Sequence, residues 1–261
     1  MVHVGGTMRP VMEELAKRHQ QKTGRKIEIN TADSGALLAQ IETQREGDIY
    51  VCHDPFLDIL MRRGLGRDGW TVAALTPVIV VSKVDPPKRK ITDLSDFEDP
   101  GVSLALPDEK WSTLGKMLPT MFKKAGIDLD LITKRPNVSV FRQGTQAANV
   151  ARTGNANAAV VWNAVAYLHR DALAVVPIPP GQLPTPGVDT VTSATNRTYG
   201  LVPVRVTIAT LGCSKEPTGA ADFAKFVASD EGRKVFQDFG YSTIAPRKEY
   251  EDGKKLPEDR Q

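Results

Sequence analysis

Val2-His-Val-Gly-Gly-Thr-Met8, continued by Arg9-Pro-Val-Met-Glu-Glu-Leu-Ala-Lys-Arg-His-Gln-Gln-Lys-Thr-Gly24, is the stretch on which the fold turns. Val2 to Val4 is a short apolar run stopped by a glycine pair and reads as a buried strand. Thr7 stands where a helix N-cap belongs. Val11, Met12, Leu15 and Ala16 then recur at three- and four-residue spacing, which makes one apolar stripe on a helix that runs from Met8 to Gln21 and that Gly24 ends. Strand, tight turn and helix in that order form the repeating unit of α/β proteins.

Working outward, the unit recurs. Lys26 to Asn30 reads as a strand, and Ser34-Gly35 opens a helix whose Leu37, Leu38 and Ile41 share a face. Asp48 to Cys52 is a buried strand, Phe56 to Met61 a short helix and Val78 to Ser82 an apolar strand. The proline-containing, polar connection Val84-Asp-Pro-Pro-Lys-Arg-Lys90 and a short helix at Ile91 to Phe97 precede a second series. Its strand Val102 to Leu106 leads to a helix from Leu114 to Lys124, bent at Pro119 and closed by Gly126. Val138 to Phe141, Ala158 to Trp162 and Leu173 to Pro177 read as strands, and Thr145 to Thr153 as a helix ended by Gly154. Pro179 to Gly200 shows no periodicity, and Leu201 to Thr210 resumes a strand. Helices at Gly219 to Ala228 and Ser229 to Phe239 follow, with a charged surface tail from Lys248. The expectation is an α/β chain of two lobes with mainly parallel sheets. Residues 1–80 with 204–261 form one lobe and residues 81–203 the other, joined by two hinge crossings near residues 77–82 and 201–206.

Composition narrows the function. The chain has 261 residues, of which 41% are hydrophobic and 25% charged, and a formal net charge of +3. That is ordinary globular composition with a basic bias too weak to argue for nucleic acid. No apolar run approaches the ~20 residues of a membrane span. Met1 directly precedes the first strand, so an exported protein whose leader is absent from this chain is expected. Cys52 and Cys213 are too few for a disulfide framework and read as small core residues. In Cys52-His53-Asp54, consecutive side chains on an extended strand point to alternate sides, so no metal is expected there.

Thr7, Ser34, Ser112, Thr113 and Thr145 all stand at helix starts that follow strands. The first turn of a helix leaves N–H groups unpaired at the positive end of the dipole, and hydroxyls add further donors. Each residue alone is an ordinary cap. Their shared position at the carboxyl ends of strands, where open α/β sheets take ligands, points to an anion site.

The succession Glu13-Glu-Leu-Ala-Lys, Lys22-Thr-Gly-Arg-Lys, Asp33-Ser-Gly-Ala-Leu-Leu-Ala-Gln-Ile-Glu and Gly47-Asp-Ile-Tyr-Val resembles the first lobe of the molybdate/tungstate-binding proteins of ABC importers. Val78-Ile-Val-Val-Ser-Lys, Ile91-Thr-Asp-Leu with Pro100-Gly-Val, Thr153-Gly-Asn-Ala-Asn-Ala-Ala-Val-Val-Trp, and Phe226-Val-Ala-Ser-Asp-Glu-Gly with Phe239-Gly-Tyr extend the resemblance over most of the chain. It implies a two-lobed type II periplasmic-binding-protein fold with an oxyanion held by hydroxyls and backbone amides from both lobes in the cleft. It also implies a periplasmic or extracellular location with or without a lipid anchor, a membrane permease as partner, a monomer, and no cofactor or metal. Thr7 takes the slot of the family's first serine, and Ser34 matches the serine of its Ser-Gly turn. Ser112 and Thr113 fall where a helix-start amide is offered, with Trp-Ser-Thr-Leu-Gly in place of the usual Pro-Ala-Gly-like sequence. Gly144-Thr145 falls where another amide is expected. Trp162-Asn163 replaces a tyrosine-containing turn, so Asn163 could supply an amide donor or Trp162 could stack on something larger. Arg9, Arg142 and Gln143 depart from an uncharged pocket, and an arginine suits a carboxylate, phosphonate or sulfate. Another anion on the same fold is therefore the alternative. No Tyr-Tyr pair of the kind that binds ferric iron on this fold occurs.

With histidines only at positions 3, 19, 53 and 169, and no nucleophile elbow, Walker loop or HExxH, the sequence carries no recognisable catalytic set. Asp108 and Glu109 read as loop solvation. An α/β enzyme remains the rival from a different class; an effector domain would come with a helix-turn-helix that this chain does not display.

Overall fold

The computed structural model describes residues 1–185, 188–192, 198–200 and 204–257. In chain order the elements of the first part are β1 (Val2–Gly5), α1 (Arg9–Thr23), β2 (Ile29–Ala32), α2 (Ser34–Gln44), β3 (Ile49–His53), α3 (Phe56–Arg62) and β4 (Gly66–Leu75). Next come β5 (Pro77–Ser82), β6 (Leu104–Pro107), α4 (Thr113–Lys124), α5 (Leu129–Thr133), β7 (Val138–Phe141), α6 (Gly144–Arg152), β8 (Ala158–Trp162), α7 (Asn163–Leu168) and β9 (Leu173–Pro177). The short pair β10 (Thr190–Thr192) and β11 (Thr198–Gly200) precedes β12 (Val204–Leu211), α8 (Pro217–Val227), α9 (Asp230–Asp238), β13 (Arg247–Glu251) and β14 (Lys254–Lys255). The chain divides into two compact units, 1–74 with 204–261 and 75–203.

The first unit is built on a seven-stranded sheet in the order β14-β13-β4-β12-β3-β1-β2. β2, β1 and β3 run parallel, while β12 is antiparallel to β3, with Val206 opposite His53. In α1, Val11, Met12, Leu15 and Ala16 are buried as the stripe requires, and Gly24, at φ 73°, returns its N–H to the Gln20 carbonyl at 2.8 Å. The second unit has a five-stranded sheet, β7-β6-β8-β5-β9. β7, β6 and β8 are parallel and β5 is antiparallel to both β8 and β9, with Pro77 opposite Trp162. Small residues Ala147, Ala148 and Ala151 let α6 lie close on this sheet.

Both sheets are therefore mixed, where mainly parallel ones were expected. The reason is local to each unit: the strand arriving from the other unit, β5 or β12, starts at the carboxyl end of its parallel neighbour and has to run backwards along it. The first crossing lies at Leu75, so β5 belongs wholly to the second sheet, and a boundary at residue 80 would cut through it. The three residues before β12, part of the expected strand 201–210, lie outside the described residues.

The tail from Lys248 departs from the expected surface position. Arg247–Glu251 pairs antiparallel with β4, and Glu249 is only 2% exposed in its side chain. Its carboxylate accepts from the Thr71 hydroxyl and from the Arg205 guanidinium, which also grips Asp54 at 2.7 Å and Asp58 at 3.2 Å. A carboxylate can be buried when it is paired and hydrogen-bonded in this way.

Candidate functional site

In the first unit, β1 ends at Gly5 and passes through a 3-10 turn, Gly6–Met8, into α1. Thr7 lies inside this turn and caps no helix, and its hydroxyl makes no hydrogen bond among the described residues. The Tyr241 hydroxyl donates to the Thr7 carbonyl at 2.9 Å and fixes the turn from behind, and burial raises the Tyr241 pKa well above the ordinary phenol value. Helix α2 approaches from the side. Its N-cap is Asp33, so Ser34 is its first helical residue. Ser34 is 6% exposed, yet its hydroxyl has no protein partner among the described residues. Its carbonyl accepts from the buried Tyr50 hydroxyl at 2.6 Å. A Cβ on Gly5 would stand 2.5 Å from Ser34 Oγ, so only glycine lets that hydroxyl lie against the backbone at the end of β1. Ser34 Oγ thus lies against Gly5 at the carboxyl end of β1, and Gly5 is two residues before Thr7.

His53 ends β3 beside them, its ring edge-on to Phe56 and its Nδ1–H donating to the Asp54 carbonyl at 2.8 Å. Burial pulls its pKa below 6.5. Arg9 is exposed and tied to Glu13 at 2.7 Å, one turn along α1. Cys52 is fully buried against the Thr207 hydroxyl, and burial pushes its thiol up to about 12. Both cysteines are free, and no group of three or more metal-ligating side chains occurs among the described residues.

In the second unit the parallel strands again end at helix starts. Ser112 is the N-cap of α4, and its hydroxyl accepts from the Gly115 N–H at 3.3 Å, the ordinary capping role. A Cβ on Gly115 would come within 2.0 Å of the Asp108 carbonyl, so the β6–α4 loop packs against the helix only because that residue is glycine. Thr113, the first helical residue, and Thr145, the second residue of α6 after its N-cap Gln143, have hydroxyls without hydrogen bonds among the described residues. The loops carrying them are joined by the Asp108 N–H to the Phe141 carbonyl at 2.7 Å.

Trp162 and Asn163 sit elsewhere at this pole. Trp162 is 5% exposed at the end of β8, where stacking on a ligand was anticipated. Asn163 holds the first crossing: its Oδ1 accepts from the Thr76 N–H at 3.0 Å, and its own N–H donates to the Thr76 carbonyl at 2.9 Å. The tryptophan that does face outward is Trp111, 63% exposed, immediately before Ser112. The Arg142 guanidinium, immediately before Gln143, lies over its ring at 4.2 Å. Sequence reading gave Trp111 no role, because an indole in a loop carries no local mark of whether it turns in or out.

Against this geometry, residues 1–242 match the family described as bacterial extracellular solute-binding protein. The chain belongs to that family. Among relatives of these solute-binding proteins, a binding protein of Haemophilus influenzae is 26% identical over 246 residues, covering 92% of this chain and 89% of its own. The periplasmic molybdate-binding protein of Azotobacter vinelandii superposes with a TM-score of 0.74 at 16% identity, covering 93% of this chain and 98% of that one. PEB3 bound to L-phospholactate superposes with a TM-score of 0.68 at 17% identity, covering 93% and 99%. At such identities the likeness concerns the fold. One of these neighbours takes an inorganic oxyanion and the other an organic phosphate, so the fold leaves the solute open. Among the described residues no helix is long and apolar enough to cross a membrane.

Proposed function

We propose that this chain is the solute-binding component of an ABC importer, working outside the cytoplasmic membrane, and that its solute presents a small oxyanion group. One observation carries the reading: Ser34, nine-tenths buried at the first turn of the 11-residue helix α2, points a hydroxyl that no protein group accepts or donates to. Among the described residues no fully buried side-chain oxygen lacks a hydrogen-bond partner, so this hydroxyl stays open to water, and an anion that displaces the water gains a charge-assisted hydrogen bond of about 1.5–3 kcal/mol. The unengaged Thr7 hydroxyl and the first-turn N–H groups supply further donors and the positive end of the helix dipole, and an oxyanion, which offers only acceptors, matches such a set.

In this reading the second unit adds the α4 and α6 helix starts with Thr113 and Thr145. Ligand then selects one conformation of the chain for a membrane permease to recognise. Molybdate and tungstate are the inorganic forms such a donor set would take. Function by capture, without turnover, agrees with the family.

Thermal unfolding of ligand-stripped protein against molybdate, tungstate, sulfate, phosphate, ferric ion and small organic anions tests the proposal, because a saturating ligand stabilises the native state by RT ln(1 + [L]/Kd). Upward shifts with one or more oxyanions, weakened by Ser34→Ala, are expected. The proposal fails if no oxyanion, inorganic or organic, moves the transition.

A further inference from the structure

We infer that the oxyanion group is carried on an organic body, and that Arg142 stacked on Trp111 is the element of the second unit that selects such a ligand over a bare inorganic oxyanion. The inference rests on the proposed binding function and names its solute class.

Arg142 follows the last residue of β7 and Trp111 lies in the loop after β6, so both stand at the carboxyl ends of adjacent parallel strands. The guanidinium is 4.2 Å from the indole centroid, within the range of a cation–π contact. That contact takes up one face of the cation but none of its in-plane N–H donors, and among the described residues Arg142 meets no carboxylate. Asp108, three residues before Trp111, accepts from the Lys110 N–H at 2.7 Å. An arginine held flat by an aromatic ring, with its N–H edge unengaged, is preorganised for two parallel bonds to a carboxylate or phosphoryl group. Of the other exposed arginines, Arg9, Arg63 and Arg233 pair with Glu13, Glu42 and Asp230, and Arg170, stacked on the Tyr167 ring at 4.1 Å, gives an N–H to the Tyr167 carbonyl at 2.9 Å.

Trp111 carries the second half of the argument. The other two tryptophans, Trp70 and Trp162, are 8% and 5% exposed, whereas Trp111 is 63% exposed even with the guanidinium upon it. A tetrahedral inorganic anion has nothing to offer an indole surface, because its whole periphery is oxygen. A ligand with carbon next to its anionic head would cover the indole while the head pairs with Arg142 and reaches the unengaged hydroxyls of Thr113 and Thr145. Those threonines are suited to either kind of anion, so the distinction between the two rests on Trp111 and Arg142.

The experiment compares molybdate and inorganic phosphate with two organic phosphates, phosphoglycolate and phenyl phosphate, by calorimetric titration of the wild type, Arg142→Gln, Trp111→Phe and Trp111→Ala. At least one organic phosphate is expected to bind wild type about tenfold or more tighter than inorganic phosphate, an advantage that Arg142→Gln and Trp111→Ala each cut about tenfold while inorganic phosphate changes by less than about threefold. The same organic phosphate is expected to change tryptophan emission in wild type and not in Trp111→Phe. Both side chains are exposed, so the variants are expected to keep the wild-type unfolding midpoint. Molybdate binding with dependence on Ser34, but no organic advantage, overturns this inference and leaves the proposed function standing. Equal losses for organic and inorganic ligands in Arg142→Gln also overturn it, since the arginine would then act as a general attractive charge. Binding of none of the anions overturns both.

Discussion

Replacing Ser34 by alanine separates a binding role from a structural one. The residue is 6% exposed and its hydroxyl has no hydrogen bond among the described residues, so its removal breaks no bond within the protein. Without ligand, the unfolding free energy of Ser34→Ala is therefore expected to stay within about 0.5 kcal/mol of wild type, where a bonded hydroxyl would cost about 1 kcal/mol. With ligand the expectation reverses. A hydroxyl donating to an ionised oxygen contributes about 1.5–3 kcal/mol, which corresponds to a loss of about 10- to 150-fold in affinity. Calorimetric titration with molybdate and phosphoglycolate gives Kd, and urea unfolding of ligand-free protein gives stability. Kd within twofold of wild type for every anion that binds would remove Ser34 from the site. A loss of 2 kcal/mol or more in the ligand-free protein would show that the hydroxyl serves the fold instead, and the argument from its missing partner would fail.

Gly5→Ala is expected to lose about 1–3 kcal/mol and also to weaken anion binding, because its Cβ would stand 2.5 Å from Ser34 Oγ and 2.6 Å from the Met8 methyl; unfolding and titration together check this. Arg205→Met leaves Asp54, Asp58 and the buried Glu249 without their shared cation, and a loss of about 3 kcal/mol is expected as a lower urea midpoint at unchanged m-value. Stability is also expected to fall as pH drops below 6.5. Burial lowers the pKa of His3, His19, His53 and His169, so the unfolded chain takes up protons from 6.5 downward that the folded chain refuses, and the loss continues until pH passes the folded values. For His3 burial outweighs the hydrogen bond its ring makes to the Glu46 carbonyl, which by itself would raise the value. Thermal midpoints measured from pH 7.5 to pH 5 in wild type and His3→Gln test this, with a shallower acid slope expected in the variant.

Local pattern determined much of this protein. The three- and four-residue spacing of Val11, Met12, Leu15 and Ala16, the apolar runs of β3, β5 and β8, and glycines such as Gly24 and Gly154 at helix ends are decided by residues within one turn or strand of each other, and sequence exposes them. The same locality made the hydroxyls at helix starts visible, and the motifs around Ser34 and Gly47 carried the resemblance to anion-binding proteins. Tertiary structure alone decided the rest. β13 has a charged sequence that reads as a surface tail, and it becomes a strand because it pairs with β4 while Arg205 neutralises Glu249 from a strand more than 40 residues away. Whether a hydroxyl caps a helix or is left unengaged depends on where the first turn begins, a difference of one residue that separates Ser112 from Ser34. Which tryptophan faces solvent was likewise settled by tertiary structure: Trp162 is buried at the end of β8, whereas the loop after β6 leaves Trp111 open beneath Arg142. Spacing along a chain fixes which residues share a face, but only packing fixes what, if anything, lies against that face.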